Sequence, residues 1–226
     1  MKRLSFLGAD KELFITLVFS SLVSVLLLIV RVLVTGSPRL TFLVWNLVLA
    51  WIPLLFAWVL YRRHSGKQKP EWKDLAYGVF WLAFLPNSFY IITDLIHLQS
   101  SGEVSLLYDT AMITSFVLNG LLLGYISLYM IQKIVARLFD VRMGFIVAQI
   151  VLLLSAFAIY LGRYLRWNTW DIVVNPLGLA FDVSDRIINP GSYRLTFIVT
   201  GVYFLLLSAT YVVLYRLAGI LSKNRH

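Results

Sequence analysis

Cysteine is absent from the chain, so it has no disulfide framework, no thiolate zinc site and no cysteine nucleophile. Charge is scarce too: Asp, Glu, Lys and Arg make up 14% of the 226 residues, well under the quarter or so usual in soluble domains. No Walker loop, dinucleotide fingerprint, nucleophile elbow or His-Glu-x-x-His stretch occurs. Internal repeats and low-complexity tracts are missing as well. These absences remove the common soluble nucleotide-binding and hydrolase folds.

What is present is apolar. Hydrophobic residues make up 60% of the chain, more than a water-soluble domain of this length can hide, so lipid is the expected solvent for most of it. The net charge is +9. Basic residues flanking spans account for that sign. With no recognition motif or separate basic helix, nucleic acid is not an expected partner. The bilayer is.

Six runs approach the 20 or so apolar residues a spanning helix needs. They cover about Leu13–Val34, Thr41–Tyr61, a third beginning near Asp74, Tyr108–Ile131, Met143–Leu165 and Leu195–Tyr215. The first reads as a retained anchor: it is too long for a signal peptide and no small-residue cleavage site follows. With six spans, fourteen Lys and Arg fall on the side of the chain ends and six on the other. That asymmetry predicts cytoplasmic termini. The loop "YRRHSGKQKPEWK" supplies much of it, and its His64 reads as a solvated histidine. The expected fold is all-α: one polytopic membrane bundle over residues 1–226, with six transmembrane helices.

Two features depart from a plain bundle. Pro86 interrupts the third span, lacking an amide hydrogen and clashing with the carbonyl four residues back. It predicts a helix kinked or broken at Pro86. Between spans five and six, Asn175-Pro176 reads as a cap followed by proline at the first helical turn. Asp182, Asp185, Arg186 and Asn189 then form one polar stripe. This predicts a short interfacial helix, or a shallow re-entrant segment with its backbone groups buried in protein.

Candidate functional residues gather on the side opposite the chain ends. Asp94 and His97 are three apart and would share a helix face. A carboxylate beside an imidazole raises its basicity and orients it, which nominates the pair for catalysis. A metal site would need a third ligand, for which Glu103 and Asp109 are the available acids; no metal is assigned, and the cofactor is unknown. In "LGRYLRWNTWDI", Arg163 and Arg166 also sit three apart, where positive charge is normally rare. Guanidinium suits phosphate through its paired donors. The resulting binding set is Asn87, Arg163, Arg166, Asn168 and Asp171, with Asp94 or Asp171 as partners for the arginines. Asn46, Asn119 and Gln149 lie within spans and are read as bonding between helices. Ser20, Ser21 and Ser24, with Gly120 and Gly124, are read as close helix packing.

"FLPNSFYIITDLIHL" and "LGRYLRWNTWDI" together resemble the hallmark segments of a family of bacterial multi-pass membrane proteins catalogued as a domain of unknown function, DUF 1361. The resemblance implies a bacterial plasma-membrane protein and nothing about substrate. From the residues, the leading expectation is a polar site at the outer-leaflet face. It would bind an anionic lipid head group or lipid-linked phosphate, with group transfer or hydrolysis as the fitting reaction. A small transporter and a non-catalytic membrane partner are the alternatives.

Overall fold

The computed structural model describes residues 2–64, 71–98 and 104–223, with side chains described over 11–64, 71–98 and 104–220. Glu103, Lys67 and Lys69 lie outside the described residues. The protein is all-helical. Its elements are α1 (Lys2–Thr35), α2 (Phe42–Arg63), α3 (Trp72–Tyr90), a 3-10 segment (Ile91–His97), α4 (Leu106–Leu138), α5 (Val141–Leu165), α6 (Asp171–Val174), α7 (Pro176–Ile188) and α8 (Arg194–Lys223). Six of these stretches are long and apolar enough to cross a membrane, α3 and the 3-10 segment counting as one. Short turns at Gly36 to Thr41 and at Phe139-Asp140 reverse the chain between spans. An even number of alternating spans brings both chain ends to one face, and the opposite face is called the far face below.

Helix α2 packs between α3 and α4, α5 packs on α3, α4 and α8, and α1 lies against α4. Two apolar cores result. One joins Leu28, Leu43, Leu47, Ile113 and Phe116; the other joins Trp81, Phe89, Tyr125, Leu152 and Tyr211. Large apolar side chains on the outward faces of α1, α5 and α8, such as Phe19, Leu33, Ile150 and Leu205, are exposed. Water would make that surface costly, whereas lipid tails solvate it.

Polar side chains tie the helices together, because apolar contact alone gains little over lipid contact. Asn119 donates to Ser24 Oγ at 2.9 Å and to the Ser20 carbonyl at 3.3 Å, and Ser208 donates to Gln149 at 2.6 Å. Both residues thus bond between helices as expected. Gly120 and Gly124 do mark close packing, but against α3 rather than the serines of α1. A Cβ on Gly120 would meet Ile91 and stand 2.9 Å from the Ser88 carbonyl; one on Gly124 would stand 2.7 Å from the Phe89 ring.

Of the two alternatives at Pro86 the break does not occur: helix α3 continues to Tyr90, and the change of helix type comes later, at Ile91. One residue on, the Asn87 side-chain amide folds back to donate to the Phe84 carbonyl at 3.0 Å. His64 is not solvated. It is buried, 3.8 Å from Asp74, and its carbonyl accepts from Arg137. Asp109 is unavailable to a metal near His97, because Arg31 holds it through bonds of 2.8 and 3.3 Å.

Helix α7 begins as read from the sequence, with Asn175 Oδ1 accepting from the Gly178 amide at 3.1 Å and Pro176 in the first turn. Its polar stripe faces the bundle. Arg186 is buried, pairs with Asp182 at 3.2 Å and lies 4.8 Å over the Tyr193 ring. Leu177, Phe181, Ile187 and Ile188 point outward. The Tyr193 hydroxyl donates to Asp185, and that bond, with one from Asn189, holds the Asp185 carboxyl below its ordinary range.

Candidate functional site

The 3-10 geometry places Asp94 and His97. With three residues per turn, positions three apart eclipse one another, so Ile91, Asp94 and His97 form one stripe. Ile91 packs inward against Gly120, Asp94 is 1% exposed, and His97 is half-buried at the rim. The shared face expected from sequence is therefore present, built by a 3-10 turn rather than an α-helix.

The stripe borders a cleft of about 590 Å³ between α2, α3 and α5. Asn87, Asp94, His97, Arg163 and Asn168 all line it. Asp94 Oδ2 accepts from Asn46 Nδ2 at 2.8 Å. Asn46 does bond between helices, and its partner is the site carboxylate. No hydrogen bond joins Asp94 to His97, whose ring instead meets Phe42 edge-on at 5.1 Å between centroids. Arg163 enters from the last turn of α5 and lines the same cleft as Asp94 and His97. Among the described residues no carboxylate pairs with it. The expected Arg163–Asp94 ion pair is absent, although both residues line the cleft.

Arg166 and Asp171 do not line the cleft. Arg166 ends α5 in the left-handed conformation, φ 61°, with its side chain exposed. Asp171 is used locally, accepting from the Asn168 amide at 2.6 Å, and does not meet either arginine. Beyond Asn168 the chain turns back along α3: Thr169 Oγ1 accepts from Asn87 at 2.9 Å, and Trp170 meets Phe84 at 5.6 Å between ring centroids. Gly162 lets the Tyr90 ring close on α5, since a Cβ there would stand 3.0 Å from it. The segment after α5 thereby becomes a wall of the cleft.

Several lining residues escaped the sequence reading. Ser155, 1% exposed, borders the cleft and its hydroxyl finds no partner among the described residues. Trp45, Leu82, Leu154 and Ile172 line it and are exposed. The cleft is therefore open along a partly apolar wall. One signal for Asn46 was available: it stands one turn inside the start of α2, and Asp94 stands in the last turn of the antiparallel neighbour, so both lie at one depth. Among the described residues no cluster of three His or acidic side chains fits a metal ion.

Comparison with known proteins adds a family and no activity. No curated protein and no solved structure matches the chain. The family profile described as a protein of unknown function, DUF1361, matches residues 45–209, which takes in every cleft-lining residue except Phe42. With that match covering well over half of its length, this chain belongs to the DUF1361 family.

Proposed function

We propose that this is a multi-pass plasma-membrane protein whose cleft binds the anionic or phosphorylated head group of a lipid-linked substrate in the outer leaflet. The chain ends then lie in the cytoplasm, in keeping with the bias of Lys and Arg toward their side. Helices α6 and α7 lie at the leaflet boundary, with their apolar residues toward the acyl chains.

One observation carries the reading: a guanidinium with no ion pair among the described residues shares its cleft with exposed apolar side chains. Arg163 marks the head-group end, and Leu82, Leu154 and Ile172 mark the side entrance for the chain. An arginine at membrane depth is costly unless paired, and a phosphate matches its two parallel donors. Asn87 and Asn168 supply neutral donors. His97, with one edge against Phe42 and a half-buried ring, is the group to accept a proton in transfer or hydrolysis of the head group. Asp94 accepts from Asn46 through one oxygen and serves to position the head group rather than to relay a proton. Transport fits less well. Past Asn87 the lining turns apolar except for Ser155, whereas a path to the other face would need polar groups throughout.

The test is the lipid that accompanies the purified protein. Mass spectrometry of lipids co-purifying with wild type should find a phosphorylated species that Arg163→Ala loses and Arg166→Ala keeps. Equal lipid content in wild type and Arg163→Ala, at equal protein yield, removes the reading. Reporter fusions at both ends test the orientation, and activity of a periplasmic reporter at either end overturns it.

A further inference from the structure

Three buried or part-buried arginines close contacts with acids. Arg31 pairs with Asp109 at 2.8 Å, Arg63 with Asp74 at 2.6 Å and Arg186 with Asp182 at 3.2 Å. At the cleft the reverse holds. Asp94 and Arg163 line one cavity, yet no ion pair forms between them. Asp94 is almost wholly buried, and the hydrogen bond from Asn46 is the one contact its carboxylate receives. A carboxylate so placed is costly without a compensating cation or further donors.

From this we infer, building on the head-group reading above, that the cleft selects a zwitterionic head group carrying a phosphodiester and a primary amine. The phosphate sits on Arg163 and the ammonium on Asp94. The chemistry is specific in three ways. A guanidinium offers two parallel donors to phosphate oxygens. An ammonium offers three donors and no acceptor, which suits a carboxylate holding one amide bond. The bound pair adds no net charge to a low-dielectric site, whereas an anionic lipid would leave Asp94 facing a second negative group. A trimethylated amine keeps its charge but has no donor to give Asp94.

Phosphatidylethanolamine, phosphatidylcholine and phosphatidylglycerol with identical acyl chains are the probes. Each is titrated onto the full-length protein in detergent, with binding read by native mass spectrometry. A buried, charge-assisted hydrogen bond predicts a preference of about tenfold or more for the primary amine over both others. Asp94→Asn keeps the shape and the Asn46 contact, and should bring the three lipids to within about threefold of one another. Arg163→Gln should weaken all three. Should Asp94→Asn fail to fold, wild type with the mono-, di- and trimethylated amines replaces it, and affinity should fall at each methylation. Equal binding of phosphatidylglycerol and phosphatidylethanolamine, or a preference that survives Asp94→Asn, overturns the inference. If that happens while Arg163→Gln still weakens every lipid, the head-group reading stands without it. Insensitivity of all lipids to Arg163→Gln overturns both.

Discussion

Replacing Asp109 with Asn should loosen the docking of α1 on the bundle. Arg31 is 1% exposed and the Asp109 side chain 6%, and two bonds of 2.8 and 3.3 Å join them. The rest of α1 presents Phe19, Leu22, Leu26 and Leu33 outward, where lipid satisfies them as well as protein does. The polar contacts therefore decide docking: this pair, the Tyr108 hydroxyl on the Leu27 carbonyl at 2.7 Å, and Asn119 on Ser24. Asp109→Asn removes the acid that makes both of these bonds to a buried guanidinium. Removing one partner of a buried pair costs about 3–5 kcal/mol. Replacing both with apolar residues, Arg31→Leu with Asp109→Leu, should cost less than the sum of the two single changes, because the two charges leave together. The assay is a double-mutant cycle on thermal unfolding in detergent, supported by cross-linking of an engineered cysteine pair across α1 and α4, which the cysteine-free chain makes unambiguous. Additive single and double effects, or an Asp109→Asn loss below about 1 kcal/mol, would show that the pair does not hold α1 and would refute the argument.

Asn46→Leu removes the one donor to a buried carboxylate and should destabilise by about 1–3 kcal/mol, lowering the midpoint of thermal unfolding; a neutral result would mean that Asp94 is held by other means. Gly120→Ala should cost about 1–3 kcal/mol through overpacking against Ile91 and the Ser88 carbonyl. Gly201→Ala, with nothing within 4 Å of the new methyl, should be neutral or stabilise by up to about 1 kcal/mol. Asn175→Ala should lose about 1 kcal/mol of α7 cap stability, seen as faster amide exchange at Gly178. For Asp185, the folded carboxyl lies below its ordinary value of about 3.9. Its bonds to Tyr193 and Asn189 therefore stabilise α7 above that pH, and the contribution is lost as pH falls through the lowered folded value. Tyr193→Phe should move the Asp185 titration upward in carbon-detected NMR.

Six spans, both chain ends on one face and the Asn175-Pro176 helix start follow from local sequence. Hydropathy and capping depend on residues within a turn or two of one another, so a linear reading reaches them. It reached the cluster of Asn87, Asp94, His97, Arg163 and Asn168 as well, because polar residues at span ends are conspicuous against an apolar chain. Partner choice was decided elsewhere. Arg31 with Asp109, Asn46 with Asp94 and the buried His64 join residues 78, 48 and 10 positions apart, and each depends on how two helices are rotated about their own axes. The same holds for the 3-10 turn after Tyr90 and for the chain doubling back through Thr169. The glycines of α4 and α5 are of the same kind, since their missing side chains matter only once a neighbouring helix arrives.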